Sequence, residues 1–141
     1  MADEKIQFSG ELGERVLQRL EHEIVIWLTT VSRDGTPQPN PVWFLWDGET
    51  FLVYSQPEAA KVHNITRSPK VSLHFEGADV VGGDVIVLTG EARVDLHTGS
   101  IPQAYQQKYK EGLKIFGYNW DQMQAEYSAA IFIKPTKYRG F

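Results

Sequence analysis

The sequence predicts a mainly β fold: a six-stranded antiparallel barrel, closed or nearly closed, with flanking helices. Short apolar or alternating segments recur along the 141 residues, and Asp-Gly pairs at Asp34-Gly35 and Asp47-Gly48 mark tight reversals between them. Few stretches have the apolar spacing of a helix, which disfavours a parallel α/β sheet. A chain of this length fits one compact domain, so we expect residues 1–141 to form a single domain.

The first third of the chain is predicted to hold a helix and two strands. Apolar residues recur at helical spacing from Leu12 to Leu20, after Ser9, a residue type that caps helices. Residues 24–31 are almost continuously apolar and predict a strand. The Asp-Gly turn then leads into a second strand over residues 36–46.

Three prolines at alternate positions of that second strand, Pro37, Pro39 and Pro41, predict an unpaired edge. Backbone N–H groups of alternate residues point to the same edge of a strand, and proline has none. The residues between the prolines can still pair on the other edge. We therefore expect one neighbouring strand here and not two.

A third strand over residues 50–55 completes the clearest hairpin of the sequence. The following Ser55-Gln56-Pro57-Glu58 has the pattern of a capping box, which predicts a helix from there to about Arg67. Alternation over residues 71–75 predicts the fourth strand.

The last two strands are predicted over residues 85–94, after a Gly82-Gly83 turn, and residues 130–134. Gly90 interrupts the long strand and indicates a bulge or a close backbone approach. Two helices are expected between these strands, one from Pro102 to Lys110 and a short one capped near Asn119.

Charge and composition exclude several classes of function. Fourteen basic and eighteen acidic residues give a net charge of −4, which disfavours general attraction to nucleic acid or anionic membranes. The absence of cysteine excludes disulfides, thiol nucleophiles and iron–sulfur clusters. No apolar stretch is long enough to cross a bilayer and no secretory signal is recognisable, so we expect a cytoplasmic protein. The four histidines lack metal-ligand spacing, so we predict no metal site.

The basic residues are unevenly distributed. Lys61, Arg67 and Lys70 lie in a ten-residue stretch without any acid, on or just after the predicted helix. The strand before that helix ends in Tyr54 and Ser55, so hydroxyl groups, the positive end of the helix and a lysine are predicted to converge. Such a site suits a phosphate, although basic runs are more commonly solvated helix faces.

The aromatic residues have two interpretations. Trp43 and Trp46 lie on predicted strands and are interpreted as interface residues first and pocket residues second. Tyr105, Tyr109 and Tyr127 are interpreted as packing residues, not proton donors.

Residues 24–94 resemble the flavin-binding split-barrel superfamily that includes pyridoxamine 5′-phosphate oxidase, and most closely its small deazaflavin (coenzyme F420)-dependent reductases. The resemblance rests on three segments, PVWFLWDGETFLVYS, AAKVHNITRSPKVSLHF and VIVLTGEARV. It implies a six-stranded antiparallel split β-barrel that forms a homodimer with the cofactor in a groove between the subunits. The cofactor-binding positions that it implies are Asn40, Pro41, Val42, Tyr54, Ser55, Lys61, Asn64 and Arg67.

Within this resemblance the roles differ along the chain. Tyr54, Ser55 and Lys61 would lie near the phosphate, Asn64 and Arg67 along the tail, and the strand 40–44 along the ring. The oxidase branch has an arginine in its second strand that supports the phosphate of flavin mononucleotide (FMN), whereas residues 39–42 here read Pro-Asn-Pro-Val. The sequence also ends just after the last predicted strand, so pyridoxamine phosphate oxidation is not expected.

The function expected from the resemblance is transfer of a hydride from reduced F420 to a small conjugated organic substrate. The cofactor carries the chemistry in such sites, so no catalytic side chain is assigned. Two alternatives remain open: an FMN-dependent oxidoreductase of the same fold, and a non-catalytic carrier of flavin, F420 or haem.

Overall fold

The computed structural model describes residues 5–77, 84–97 and 99–141. The elements in chain order are α1 (Gly10–His22), β1 (Val25–Val31), β2 (Pro37–Trp43), β3 (Leu45–Trp46), β4 (Phe51–Ser55), α2 (Ala60–Arg67), β5 (Lys70–His74), β6 (Ile86–Asp95), α3 (Gln103–Phe116), α4 (Trp120–Glu126) and β7 (Ala129–Gly140). The strands form one antiparallel sheet in the order β2-β1-β5-β6-β7-β4-β3. This curled sheet with four helices confirms the predicted mainly β barrel fold.

The described strands number seven, not six, because the predicted second strand is interrupted at Phe44. Residues 37–43 pair with β1 at one end of the sheet, whereas Leu45 and Trp46 pair with β4 at the other end. The backbone N–H of Phe44 donates to the hydroxyl of Tyr109 at 2.7 Å, and its carbonyl accepts from Lys108 Nζ at 2.7 Å. Side chains of α3 therefore satisfy the backbone of Phe44, and the ladder breaks at that residue.

The open edge predicted from the prolines is confirmed. Among the described strands, β2 is the first of the sheet and pairs only with β1, with Pro39 opposite Thr29 and Pro41 opposite Trp27. The prolines leave no donor on the other side of β2, so that edge cannot accept another strand in the usual ladder.

The long strands β6 and β7 form the backbone of the sheet. They pair from Ile86 opposite Gly140 to Asp95 opposite Ala130, with a register shift at Gly90. A Cβ atom at Gly90 would lie 2.5 Å from the carbonyl oxygen of Lys134, so both the predicted bulge and the close approach are confirmed. The predicted Gly82-Gly83 turn lies outside the described residues.

The predicted capping box at residues 55–58 is wrong. α2 begins at Ala60, its N-cap residue is Ala59, and no side chain caps it. Ser55 is the last residue of β4, opposite Ala129, and its hydroxyl donates to the Gln56 carbonyl at 2.9 Å. Pairing with β7 holds Ser55 in the sheet, which is why a turn separates it from the helix.

Near the C-terminus the elements are longer than predicted. α3 continues to Phe116, where Gly117 adopts a left-handed conformation and ends it, and β7 continues to Gly140 because it pairs with β6 along its whole length. The predicted cap at Asn119 is confirmed by a reciprocal hydrogen-bond pair with Gln122.

Two apolar cores meet around β2 and β4. The first fills the inside of the curled sheet and includes Val16 and Leu20 of α1. The second lies between the sheet and the helices α3 and α4; its buried members are Ile101, Tyr105, Tyr109, Leu113 and Met123, packed against Trp43, Leu45 and Tyr54. Within the described ranges, no helix has the length and apolar character that spanning a lipid bilayer requires.

Candidate functional site

A cavity of about 390 Å³ opens where the two cores meet. The strands β2 and β4 and the first turn of α2 form one side of it, and the helices α3 and α4 with their connections form the other. Its lining residues are Pro41, Val42, Trp43, Tyr54, Lys61, Tyr105, Leu113, Phe116, Tyr118, Met123 and Tyr127. The wall is thus largely aromatic and apolar, with one lysine, which is the composition of a site for a planar organic ligand.

Lys61 is the cation of this cavity. It is the second residue of α2 and partly buried, and burial lowers the pKa of its ammonium group. The ion pairs among the described residues involve other cations, namely Arg15, Arg19 and His63. An anionic ligand in the cavity would therefore supply the counter-charge that Lys61 does not receive from the described part of the protein.

Several tyrosines line the cavity together with Lys61. Burial raises the pKa of Tyr54, so its hydroxyl stays protonated and can donate a hydrogen bond at neutral pH. The hydroxyl of Tyr118 donates to Glu126. Tyr54 as a neutral donor and Lys61 as a cation favour ligand oxygen atoms, charged or uncharged.

Trp43 forms a fixed wall of the cavity. Its indole is stacked on the ring of Tyr109, with 4.5 Å between the ring centroids and 9° between the planes. α3 approaches the same indole at Gly112, where a Cβ atom would lie 3.1 Å from Cζ2 of Trp43. The position of Trp43 is therefore set by α3.

The structure brings four of the eight predicted site residues together. Pro41, Val42, Tyr54 and Lys61 line the cavity, although they come from β2, β4 and α2. The other four, Asn40, Ser55, Asn64 and Arg67, do not line it. Asn40 is exposed opposite Leu28, and Ser55 is 1% exposed.

Asn64 and Arg67 belong to a hydrogen-bond network that fastens α2 to the sheet. The amide nitrogen of Asn64 donates to Thr30 Oγ1 at 3.0 Å and to Gln38 Oε1 at 2.8 Å. Arg67 donates to the Asn64 Oδ1 atom at 3.1 Å and to the Val31 carbonyl at 2.8 Å. These contacts hold the helix that carries Lys61, and a role for both residues in cofactor binding stays a prediction.

Seven lining residues were not among the predicted site positions. They are Trp43, Tyr105, Leu113, Phe116, Tyr118, Met123 and Tyr127. Only Trp43 gave a signal, because the sequence allowed it a pocket role. The others lie on or beside α3 and α4; Tyr105 and Tyr127 were interpreted as packing residues, and Tyr105 is indeed 1% exposed.

Comparison with known proteins decides the family. A protein-family model described as pyridoxamine 5′-phosphate oxidase matches residues 12–137, which is most of the chain. The chain belongs to the pyridoxamine 5′-phosphate oxidase family. The superfamily predicted from the sequence is thereby confirmed.

Solved structures with the fold of this pyridoxamine 5′-phosphate oxidase family belong to proteins that are described in different ways. One of them is a Listeria innocua protein that has been provisionally named a pyridoxamine 5′-phosphate oxidase. It is 22% identical to this chain, with a TM-score of 0.66, and the alignment covers 92% of this chain and 97% of that one. An F420 reductase is 24% identical, with a TM-score of 0.61 and coverage of 86% and 94%. HutZ, the haem storage protein of Vibrio cholerae, is 16% identical, with a TM-score of 0.62 and coverage of 93% and 95%. No curated protein matches the sequence.

Members of the pyridoxamine 5′-phosphate oxidase fold thus include an F420 reductase and a haem storage protein, so the fold alone does not define the ligand. In this member, none of the described histidines, His22, His63, His74 and His97, lines the cavity. Among the described residues, no group of three histidine or acidic side chains is arranged to hold a metal ion.

Proposed function

We propose that this protein binds reduced coenzyme F420 and acts as a cytoplasmic oxidoreductase that delivers a hydride to a small conjugated organic substrate. The observation that carries the proposal is Lys61, a partly buried ammonium group without an ion-pair partner among the described residues, at one side of an aromatic cavity. An aromatic cofactor with a phosphate complements both features.

The residues of the sheet side are proposed to hold the cofactor. Lys61 and the protonated hydroxyl of Tyr54 would bind the phosphate, with Ser55 supporting the end of β4. The strand from Asn40 to Phe44 would lie along the ring, since Pro41 and Val42 line the cavity and the open edge of β2 leaves backbone carbonyls without a strand partner. When bound, the reduced cofactor supplies the hydride, and the protein supplies position and an apolar surrounding.

The cofactor tail is proposed to leave the cavity along α2. A volume of about 390 Å³ lies at the lower end of the range for ligand pockets, so a long anionic tail would extend outside it. Arg67 lies six positions after Lys61, which is about 9 Å along a helix axis. Arg67, held by Asn64, therefore lies within reach of a second anionic group, and so does the exposed Lys70 after it.

We also propose that the functional unit is a homodimer in which a second copy covers the open side of the cavity. Phe116 lines the cavity and is nevertheless 56% exposed, and Ile115 beside it is 87% exposed. Apolar side chains at a cavity mouth are favourable contacts for a partner surface.

Two other ligands compete with F420 in this proposal. FMN is the first, but β2 offers no arginine for its phosphate, and Pro39 to Val42 carry no positive charge. Haem is the second, because HutZ shares the fold; the cavity here has no histidine to ligate its iron. Both alternatives are therefore less well supported than F420.

A competitive titration with F420 and FMN tests the proposal. F420 is expected to bind with the higher affinity, and protein purified from a host that lacks deazaflavin is expected to be colourless. Tighter binding of FMN would contradict the cofactor assignment. Turnover of bound reduced F420 with a panel of enones and quinones then separates an enzyme from a carrier: oxidation of the cofactor no faster than in buffer would contradict the enzyme assignment.

A further inference from the structure

The hydroxyl of Tyr105 has no hydrogen-bond partner among the described residues, although the residue is 1% exposed and lines the cavity. Its two neighbours of the same type differ in this respect. The hydroxyl of Tyr109 donates to the Ile24 carbonyl at 2.6 Å, and the hydroxyl of Tyr118 donates to Glu126. Tyr105 is therefore the tyrosine of α3 whose hydroxyl the fold leaves unused.

The remaining exposed area of Tyr105 includes that hydroxyl. Every fully buried side-chain polar atom of the described residues has a hydrogen-bond partner, so an unpartnered oxygen must retain some accessible surface. Since Tyr105 lines the cavity, the cavity is where that surface lies. Confining a phenol in this way without a partner is unfavourable unless a bound molecule completes the hydrogen bond.

The hydroxyl can act only as a neutral donor near physiological pH. Burial raises the pKa of Tyr105, and the nearby hydroxyls of Tyr109 and Tyr54 raise it further. A protonated phenol surrounded by aromatic rings suits an oxygen acceptor that carries no full charge, such as a ketone or quinone carbonyl.

We propose that Tyr105 donates a hydrogen bond to the carbonyl oxygen of the substrate. The inference rests on the proposed function, in which Lys61, β2 and β4 hold the cofactor. Tyr105 belongs to α3, and its ring packs on Tyr54 of β4 with 5.1 Å between the ring centroids, so its hydroxyl would lie where the substrate meets the bound cofactor. The substrate class is then a planar ring compound with a conjugated carbonyl group.

A matched pair of ligands tests this hydrogen bond without any reaction. 1-Tetralone and tetralin have the same bicyclic skeleton and differ by one carbonyl oxygen. Each is titrated by calorimetry into the wild type and into Tyr105→Phe, with and without saturating oxidised F420. The variant is expected to bind tetralone about five- to tenfold more weakly and tetralin with unchanged affinity.

Two further measurements separate a binding role from a structural one. Because the hydroxyl has no protein partner, Tyr105→Phe is expected to be at least as stable to urea as the wild type. Tyr138→Phe, which removes a hydroxyl outside the cavity that accepts from the Ser9 N–H at 3.2 Å, is the control and should leave tetralone affinity unchanged.

Several outcomes would overturn the inference. They are equal tetralone affinities in the wild type and Tyr105→Phe, no binding of tetralone to the wild type, or a loss of F420 affinity in Tyr105→Phe that shows the hydroxyl to serve the cofactor. Failure of the wild type to bind F420 is a different result: it contradicts the proposed function, whereas the tetralone comparison without cofactor still reports on Tyr105.

Discussion

The hydroxyl of Tyr109 accepts the backbone hydrogen bond of Phe44 that a neighbouring strand would otherwise accept. It accepts from the Phe44 N–H at 2.7 Å and donates to the Ile24 carbonyl at 2.6 Å, and Phe44 is completely buried. One side chain of α3 thus satisfies backbone groups at the end of β2 and at the beginning of β1. These bonds connect α3, part of the second core, to the sheet at Phe44. At that residue the chain passes from β2, at one end of the sheet, to β3, at the other end.

We expect Tyr109→Phe to lower the free energy of unfolding by about 1–3 kcal/mol, because a buried backbone N–H loses its acceptor. Urea denaturation measures this difference. Tyr138→Phe, whose hydroxyl bonds are longer and exposed, is expected to cost less than about 1 kcal/mol. Equal stabilities of the two variants would contradict the role of Tyr109.

Gly112 allows α3 to approach the indole of Trp43, which lines the cavity. The Cβ atom that Gly112→Ala adds would lie 3.1 Å from the indole, which must move by a few tenths of an ångström. We expect F420 affinity to fall about three- to tenfold, or about 1 kcal/mol. The free energy of unfolding should change little, since alanine gains up to about 1 kcal/mol of helix propensity over glycine.

The matched control for that change is Gly99→Ala, because nothing lies within 4 Å of a Cβ atom there. Its F420 affinity should equal that of the wild type. Unchanged affinity in Gly112→Ala would show that Trp43 does not form the wall against which the ring binds.

Lys108 is expected to make stability depend on pH. Its ammonium lies 3.5 Å from the centroid of the Phe44 ring, and burial lowers its pKa to about 8, although Glu23 acts in the opposite direction. An unfolded lysine titrates near 10.4, so between about pH 8 and 10 the unfolded state binds more protons than the folded state. In that window the contribution of Lys108 to the free energy of unfolding therefore becomes more favourable to the folded state as the pH rises.

Urea denaturation at several pH values checks this expectation. The slope of the free energy of unfolding against pH should be more positive in the wild type than in Lys108→Met. The exposed Lys110 provides the control, and Lys110→Met should retain the slope of the wild type. Parallel curves for the wild type and Lys108→Met would disprove the contribution of Lys108.

Most of the sheet follows from local signals in the sequence. The Asp34-Gly35 turn, the alternation over residues 71–75 and the bulge at Gly90 each depend on residues close in sequence or on backbone geometry, and each is present in the structure. The break at Phe44 was missed because its cause, the hydroxyl of Tyr109, lies 65 residues away. Ser55 was misjudged for a similar reason, since pairing with Ala129 keeps it in β4.

The candidate site divides in the same way. Tyr54 and Lys61 are close in sequence and bracket the beginning of α2, so the basic stretch with its preceding hydroxyls pointed to both. The opposite wall comes from α3 and α4, where a tyrosine with a bonded hydroxyl and one with a free hydroxyl have the same helical spacing. The hydrogen bonds of the Tyr109 hydroxyl to the Phe44 N–H and the Ile24 carbonyl distinguish the two roles, and both bonds join residues far apart in the sequence.

The affinity of Lys61→Gln for F420, measured by fluorescence titration beside the wild type, tests the proposed function most directly. Glutamine keeps most of the side chain and removes the charge, so we expect a loss of about 1.5–3 kcal/mol, or about 10- to 150-fold, for a charge-assisted contact to phosphate. Lys110→Gln, an exposed lysine outside the cavity, should bind as the wild type does. Equal F420 affinities for Lys61→Gln and the wild type would contradict the assignment of this cavity as the cofactor site.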